Sequence, residues 1–193
     1  MILDRAGRLM DDEGLAAVTI RRLARDLGVR PMALYTHFTG KEEILAALYG
    51  RLLAGLEVPE SPGAGLDGVR QMMLAYFRLL VEHADLVKAG SGGQGDLRHS
   101  EIIYTLLLNA GMDRRTAVGV TGSLSRLAVG SAALHREDVV WDSEWSRLRD
   151  SLRELPGDRY PVLRSYGQDL PEFTQEEMFA FGVDLILRAA VND

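Results

Sequence analysis

Residues 19–41 read TIRRLARDLGVRPMALYTHFTGK, and this stretch decides the fold of the chain. Gly28 marks a sharp turn where the backbone needs a residue that tolerates positive φ, so a first short helix ends there. A second, shorter helix follows with Pro31 in its first turn, where the missing N–H group does no harm. Ala24 is small enough for the two helices to cross closely. The spacing also predicts that four apolar side chains share one inner face: Leu23, Leu27, Val29 and Leu34.

The outer side of the second helix carries aromatic and hydrogen-bonding groups instead of the Glu and Lys residues of a solvated face. This pattern is typical of a helix-turn-helix, which places the first residues of its second helix against base edges in the major groove of DNA. Lys41 opens the next helix, where a cation is poorly placed for the helix dipole, so we expect it to face an anion such as a DNA phosphate. The alternative is an ordinary helical hairpin, since short amphipathic helices separated by glycine are common.

Three segments resemble the N-terminal domain of the tetracycline-repressor (TetR) family: residues 2–6, 14–24 and 34–42. The most specific feature is the run Leu-Tyr-x-His-Phe followed by Lys, which here begins at Leu34. The resemblance implies a dimeric, ligand-responsive transcription regulator. It also implies that Tyr35 and His37 approach the DNA backbone or bases, that Lys41 binds a phosphate, and that Arg21 contacts a base or a phosphate.

The predicted DNA-binding surface has two parts. Side chains of the short helix face the groove, and basic side chains around it hold phosphates or bases. No basic tail stands ahead of the first helix in this sequence, so we expect no contact from an arm in the minor groove. The groove-facing residues are predicted to be Met32, Ala33, Tyr35 and Thr36, and the phosphate- or base-binding residues Arg21, Arg30, His37 and Lys41.

Composition places the chain among globular proteins that act inside the cell. Its 193 residues are 47% hydrophobic and 26% charged, which is enough apolar material for a substantial core. There is no cysteine, so disulfides and thiolate chemistry are excluded. We found neither a bilayer-spanning apolar stretch nor a signal peptide. We therefore expect a cytoplasmic protein that does not associate with membranes.

The formal net charge of −6 is unevenly distributed. Residues 1–51 hold eight basic and seven acidic residues, a net charge of +1, whereas the remainder holds 14 and 21, a net charge of −7. Affinity for DNA depends on local phosphate contacts more than on total charge, so the acidic excess does not exclude a DNA-binding N-terminal part.

The periodicity predicts an all-α protein. Together with the resemblance, it implies a three-helix helix-turn-helix DNA-binding domain over residues 1–45 and a helical ligand-binding and dimerisation domain over residues 46–193. Asp113 is a predicted N-cap, and Thr174 with Glu177 forms a predicted capping box. Breaks are expected at 57–65 and 91–95, and Pro156, Gly157 and Pro161 are expected to interrupt the chain. The predicted helices outside the motif span 2–13, 41–56, 66–83, 97–110, 113–138, 141–155 and about 175–191.

Small residues in the helices at 113–138 and 175–191 favour close helix approach. We predict that each subunit contributes this pair to a four-helix bundle between two copies. The alternative is packing within one subunit. The C-terminal part is also similar, around residues 83–86 and 160–163, to the ligand and dimer domain of tetracycline-type repressors. The predicted interface residues are Gly122, Leu134, Phe179, Gly182, Val183 and Ile186.

The middle helices are predicted to enclose a pocket for an apolar or amphipathic small molecule, which shifts the spacing of two DNA-binding heads. The alternative is an ordinary core, since methionine and aromatic stripes usually pack internally. Further polar groups that could converge there are Gln94, Asn109, Thr121 and His135. The predicted ligand-binding residues are Met72, Tyr76, Leu80, His99, Ile103, Tyr104, Leu107, Arg126 and Leu127.

The residues favour no catalytic chemistry. The four histidines lack metal-ligand spacing, no serine has partners that suggest a nucleophile, and the glycine-rich run 90–95 lacks the strand of a dinucleotide site. We expect no cofactor, no metal and no enzyme activity. The predicted function is a ligand-released repressor that binds a pseudo-palindromic operator as a homodimer. The alternatives are a helical small-molecule-binding protein or enzyme with a relic helix-turn-helix, and a dimerising interaction module.

Overall fold

The computed structural model describes residues 1–57, 64–83, 86, 97–134, 141–169 and 173–191. Within these ranges the regular structure is helical and contains no strand, which confirms the predicted all-α class. A 3₁₀ turn at Leu15–Ala17 follows the first helix. The ten α-helices of the described ranges are α1 (Ile2–Glu13), α2 (Ile20–Asp26), α3 (Pro31–Tyr35), α4 (Lys41–Ala54), α5 (Gly65–Glu82), α6 (Leu97–Asn109), α7 (Arg114–Ala133), α8 (Trp141–Arg153), α9 (Pro161–Asp169) and α10 (Gln175–Ala189).

The first three helices, which we call the head, surround a small apolar centre. Ala6 and Leu9 of α1 and Leu23 of α2 are fully buried, and Leu34 anchors α3 with 2% of its surface exposed. Thr19 caps α2, since its Oγ1 accepts a hydrogen bond from the Arg22 backbone N–H at 3.1 Å. The centre holds three short helices in place by contacts along one side of each.

The turn between α2 and α3 has the predicted geometry. Gly28 has φ +67°, the Gly28 N–H donates to the Arg25 carbonyl, and the Val29 N–H donates to the Ala24 carbonyl at 2.9 Å. These are the two hydrogen bonds of a Schellman motif. The prediction for Val29 is wrong, because its side chain is 40% exposed. Its backbone closes the turn, so residue 29 lies outside the face that the two helices share.

Helix α4 joins the head to the rest of the chain. Ile44, Leu45 and Leu48 are buried along its first three turns, and α1 packs against this helix. The helix continues from Lys41 to Ala54, across the predicted domain boundary between residues 45 and 46. Any movement of α4 therefore reaches the head as a movement of one rigid element.

The remaining core, which we call the body, is formed mainly by α5, α7 and α10. The rings of Phe77 and Phe179 stack with centroids 4.4 Å apart. Leu124 of α7 and Val183 of α10 are fully buried. Arg70 donates to Asp184 at 2.8 Å, which ties α5 to α10 at the edge of this core.

Both predicted helix starts in the body are confirmed. Asp113 accepts hydrogen bonds from the backbone N–H groups of Arg115 and Thr116, at 2.7 and 3.1 Å. The carboxylate of Glu177 accepts from the Thr174 N–H at 2.8 Å, and Thr174 Oγ1 accepts from the Glu177 N–H at 3.2 Å. Helix α7 ends at Ala133, earlier than predicted, and residues 135–138 lie outside the described ranges.

Helix α9 was not predicted. Pro161 was expected to interrupt the chain, and instead it opens this helix at a position where proline is tolerated. Helices α8 and α9 form a tight hairpin, since Arg153 Nε donates to the Gly167 carbonyl at 2.5 Å. The expected break at 91–95 and most of the one at 57–65 lie outside the described ranges.

Candidate nucleic-acid interface

Helix α3 is short, and most of its surface is open to solvent. Leu34 is its buried anchor, whereas Met32 is 74% exposed and Tyr35 is 52% exposed. Ala33 is also exposed. A helix held by one side chain and bare on its other sides is suited to entering a groove. The predicted groove-facing residues thus lie on one accessible surface.

The polar side chains around α3 differ in whether they already form hydrogen bonds within the protein. The Thr36 hydroxyl donates to the Ala33 carbonyl at 2.7 Å, so its proton is used within the helix. Arg21, Arg30 and His37 are exposed. In the part of the chain that the structure describes, the guanidinium groups of Arg21 and Arg30 have no hydrogen-bond or ion-pair partner. These two arginines are the groups around α3 best prepared to take up an external anion or base.

Lys41 is partly buried, and its Nζ donates to the Leu15 carbonyl at 3.1 Å. This contact ties the start of α4 to the 3₁₀ turn of the head. The ammonium group has two further protons that remain to donate to a phosphate. The neighbouring turn is fixed by Glu43, whose carboxylate accepts from the Thr39 N–H and hydroxyl at 2.5 and 2.8 Å, and these bonds lower the pKa of Glu43.

Sequence reasoning missed an ionic network that spans the head. Arg5 of α1 donates to Asp26 of α2 at 2.5 Å, and Arg22 donates to the same carboxylate at 3.0 Å and to Glu13 at 2.5 Å. The hydrogen bond from Arg5 lowers the pKa of Asp26 most, and that from Arg22 lowers the pKa of Glu13. The i, i+4 spacing of Arg22 and Asp26 was the available signal, whereas the links to α1 depend on the fold.

This network changes the electrostatics of the head. Two of its arginines, Arg5 and Arg22, are already neutralised by carboxylates. The positive field around α3 therefore rests on the basic groups outside the network, chiefly Arg21, Arg30 and Lys41. With so few cations, each contact to a DNA phosphate accounts for a large share of the affinity.

The predicted ligand-binding residues of the body lie in or beside its core. Met72, Leu80 and Leu107 are buried, and four others pack partly buried against the core: Tyr76, Ile103, Tyr104 and Leu127. His99 is buried, with its Nε2 3.3 Å from the Leu56 carbonyl. Arg126 is exposed, and its Nη1 donates to the Gly122 carbonyl at 2.9 Å.

The other polar candidates are scattered. Asn109 is exposed, and Gln94 and His135 lie outside the described residues. The Thr121 hydroxyl is buried, and among the described residues it has no hydrogen-bond partner. Because buried hydroxyl groups are nearly always satisfied, Thr121 is the candidate that most calls for an additional partner.

A pair of tyrosines joins the connecting helix α4 to the body helix α5. The hydroxyl oxygens of Tyr49 and Tyr76 lie 2.8 Å apart. Burial, followed by the contact with Tyr49, raises the pKa of Tyr76, so its hydroxyl stays protonated at neutral pH. Sequence reasoning singled out Tyr76 but not Tyr49, because a contact between helices this far apart in sequence has no local signal.

The clefts on the described surface include the following two. One of about 690 Å³ lies between α1, α4 and the end of α5, and its lining includes Leu48, Leu52 and Leu79. The other, of about 450 Å³, lies between α5 and the start of α10. Neither is lined by the residues predicted to bind a ligand. The predicted pocket remains a proposal that rests on the core residues of α5, α6 and α7.

The prediction for the interface is corrected at two positions. Phe179 and Val183 are buried within the subunit, where Phe179 stacks on Phe77, so they offer no surface to a second copy. Gly182 lies opposite Leu127 of α7, whose Cδ2 would be 2.9 Å from a Cβ at residue 182. The small residue therefore serves close packing within the subunit, the alternative considered for this helix. Ile186 is partly buried against the same core.

Helix α10 has a solvent-exposed apolar side, and its residues each precede a predicted interface residue by one position. This side consists of Met178, Phe181 and Leu185, spaced three and four residues apart. Phe181 is 51% exposed. Val118 of α7 is also exposed, and so is Leu134, the residue that follows the end of α7. We call the row on α10 the exposed stripe: Met178, Phe181 and Leu185.

A compact helix-turn-helix head on an all-helical body defines the class of a DNA-binding transcription regulator. Comparison with known families agrees. Residues 2–48 match the family described as bacterial regulatory proteins, tetR family, and residues 66–189 match the tetracyclin repressor-like, C-terminal domain. The chain belongs to the TetR family of transcriptional regulators.

Several relatives align over most of the chain. The uncharacterised HTH-type transcriptional regulator YobS of Bacillus subtilis is 39% identical over 80% of this chain and 91% of its own length. The HTH-type transcriptional repressor DrrR1 of Streptomyces coeruleorubidus is 27% identical over 96% of this chain and 74% of its own length. Among solved structures, ActR of Streptomyces coelicolor in complex with (S)-DNPA superimposes with a TM-score of 0.81 and 26% identity, covering 99% of this chain and 95% of that one.

Within the described residues, no helix combines the length and the apolar character that crossing a bilayer requires.

Proposed function

We propose that this chain is a repressor that binds a pseudo-palindromic operator as a homodimer and is released from it by a small-molecule effector. The observation that carries the proposal is the surface of α3, where Met32 and Tyr35 are exposed on a helix anchored by the buried Leu34. A DNA groove accounts for both their exposure and the unpaired arginines beside them.

On DNA, α3 enters the major groove and the groups around it hold the backbone. Met32, Ala33, Tyr35 and Thr36 face the bases. Thr36 takes part through its oxygen, because its proton is already donated to Ala33. Arg21, Arg30, His37 and Lys41 hold phosphates or bases, and the contact of Lys41 with Leu15 orients its ammonium group before DNA arrives.

The exposed stripe is the proposed contact between two copies. Its α10 side chains form a continuous apolar row, and Leu134 extends the same kind of surface at the end of α7. Two such helix pairs related by a two-fold axis make a four-helix bundle, and the axis brings two heads to one side of the dimer. A pseudo-palindromic operator matches that symmetry.

The proposed effector is an apolar or amphipathic small molecule held among α5, α6 and α7. The similar protein ActR has been crystallised with (S)-DNPA and with actinorhodin. In this chain the unpartnered hydroxyl of Thr121 offers a hydrogen bond, and the neighbouring core supplies Ile103, Tyr104 and Leu127. Ligand pockets usually combine an apolar lining with a few such orienting groups.

Two polar contacts link this region to α4, the helix that joins the head to the body. Tyr76 of α5 contacts Tyr49 of α4, and His99 of α6 contacts the Leu56 carbonyl beyond the end of α4. A ligand that moves α5 or α6 therefore pulls directly on α4. An effector releases DNA only if it binds more tightly to the conformation that DNA disfavours, and these contacts supply the mechanical connection.

The proposed function also includes the division of the chain into two domains and the cellular compartment in which the protein acts. Residues 1–45 form the DNA-binding domain and residues 46–193 the ligand-binding and dimerisation domain, with α4 as the shared element. The protein catalyses no reaction, requires no cofactor or metal, and works in the cytoplasm, where its operator lies.

Binding to DNA from upstream of its own coding sequence tests the proposal. Fluorescence anisotropy should show saturable binding that competitor DNA of unrelated sequence does not remove. A double variant, Met32→Ala with Tyr35→Ala, should abolish the specific binding and leave the thermal unfolding unchanged. If the wild type binds every duplex equally, or if the double variant binds as the wild type does, the proposal is wrong.

A further inference from the structure

The turn before α3 and the first three residues of this helix contain few groups that can form hydrogen bonds with a base. We call residues 29–33 the reading segment, and their sequence is Val-Arg-Pro-Met-Ala. Four of the five side chains have no hydrogen-bonding group suited to a base edge. Arg30 is therefore the single member that can read a base by hydrogen bonds. Val29 and Met32 expose apolar surface beside it, 40% and 74% of each residue respectively.

The conformation of Arg30 leaves its side chain available. Its backbone is extended, with φ −75° and ψ 143°, and it immediately precedes the first residue of α3. Among the described residues, no carboxylate or carbonyl engages its guanidinium, in contrast to Arg5 and Arg22 of the same head. Thr36 does not compete for the same role as a donor, since its proton is donated to the Ala33 carbonyl.

The chemistry of the major groove then selects a base. A guanidinium donates two parallel hydrogen bonds to O6 and N7 of guanine, whereas adenine is matched by Asn or Gln and cytosine by Asp or Glu. The reading segment contains none of those four residue types. Apolar side chains, in turn, contact the methyl group of thymine.

We propose that Arg30 reads a guanine in each operator half-site and that Met32, with Val29, contacts the methyl groups of neighbouring thymines. This assignment rests on the proposed function and specifies the half-site it recognises, a guanine flanked by thymine. Arg30 then determines specificity and is not simply a phosphate-binding cation. The two roles differ in geometry, because a phosphate accepts any cation from any direction, whereas O6 and N7 of guanine are matched best by the two parallel N–H groups of the planar guanidinium.

Selection from a random duplex library, followed by anisotropy titrations with the selected site, tests this assignment. The wild type should select one invariant guanine per half-site with thymine next to it. Replacing that guanine by adenine should weaken wild-type binding about 10- to 100-fold. The Arg30→Lys variant keeps the charge but lacks the planar fork, so it should bind random DNA as the wild type does and prefer guanine less strongly than the wild type. The Arg30→Ala variant should show less than a threefold difference between the two bases.

Two further comparisons isolate the methyl contact and the charge. Uracil in place of the flanking thymine removes one methyl group, and it should weaken the wild type several-fold but have little effect on Met32→Ala. Arg114→Ala on α7 is the control for charge, because it removes an exposed arginine far along the chain from the head. It should bind both the guanine and adenine sites as the wild type does.

The outcomes separate this inference from the proposed function. If Arg30→Ala retains the full preference for guanine, or if Arg30→Ala weakens all sequences equally and Arg30→Lys restores them, Arg30 does not read the guanine and the inference is wrong. A selected site without an invariant guanine also overturns it. In each of these cases specific DNA binding stands. A wild type that selects no sequence at all overturns both.

Discussion

The head and the body use their apolar residues differently. In the head, each short helix buries one to three residues on one side, and the outer sides carry polar or isolated apolar groups. In the body, α10 is apolar on two sides, with Phe179 buried at 1% exposure and Phe181 half exposed. The comparison shows that the buried side of a short helix with one apolar face can be predicted from the sequence. For a helix with two apolar sides, the sequence does not show which side is buried.

The largest expected effect distinguishes the two sides of α10. Phe179→Ala removes the ring stacked on Phe77 and should lower the free energy of unfolding by about 3–5 kcal/mol. Phe181→Ala is the matched control, with the same truncation two residues away. It should leave each subunit folded but weaken the association of two copies. Chemical denaturation and sedimentation equilibrium measure the two effects, and equal losses of stability would contradict the assignment of the two sides.

The same contrast can be made in the head. Leu34→Ala removes the anchor of α3 and should lower the stability of the head by about 2–5 kcal/mol. DNA binding should be lost with it, since α3 is no longer held. Met32→Ala, at the exposed side of the same helix, should leave the melting temperature unchanged and weaken DNA binding. A destabilised Met32→Ala protein would show that Met32 packs internally.

The tyrosine pair tests how the two regions are connected. Tyr76→Phe removes one hydroxyl of the contact with Tyr49 and should cost about 0.5–1.5 kcal/mol of stability. If the pair transmits the effector signal, the variant should still bind DNA, but a ligand should release it less completely. Tyr166→Phe is a suitable control, because Tyr166 is an exposed tyrosine of α9 and belongs neither to the pair nor to the proposed pocket. If the ligand releases the Tyr76→Phe variant from DNA completely, the tyrosine pair does not transmit the effector signal.

Replacing Lys41 tests how much of the affinity for DNA depends on the few cations around α3. Lys41→Ala should weaken binding to all sequences about equally and reduce the slope of log affinity against log salt concentration by about 1. The lost contact with the Leu15 carbonyl should also lower the melting temperature slightly. Titrations between low and high salt provide the slope. An unchanged slope together with a lower melting temperature would assign Lys41 a structural role only.

The ionic network predicts a small dependence of head stability on pH. Because the pKa of Asp26 is lowered in the folded state, its contribution is complete above its ordinary value of 3.8 and is lost as the pH falls through the lowered pKa. The difference in melting temperature between the wild type and Asp26→Asn should therefore be larger at pH 7 than at pH 2. The same difference at both pH values would show that the network does not stabilise the head.

The sequence predicted the head almost residue by residue because its signals are local. Gly28 adopts the expected positive φ and Leu34 the expected buried position. The caps at Asp113 and Thr174 are local as well, since a side chain there bonds to the backbone within three residues. The exception, Val29, belongs to a turn, where helical periodicity no longer applies.

In the body, periodicity located every described helix except α9 but did not identify which side of α10 faces inward. Phe179 and Phe181 are equally apolar, and only the packing of α10 against α5 and α7 decides that Phe179 is buried. Helix α9 was missed because proline at residue 161 signals a helix start as well as an interruption. The contacts of Tyr49 with Tyr76 and of Arg5 with Asp26 join residues far apart in sequence, so no local pattern could reveal them.

The number of chains bound to one operator duplex tests the central claim most directly. The claim is that two copies join through the exposed stripe and place two α3 helices in the major groove of one site. Sedimentation of the protein with a selected operator should give two chains per duplex, and Phe181→Ala should lower the affinity of this complex without changing the fold of the chain. A specific complex with a single chain, equally stable when Phe181 is replaced, would contradict the account.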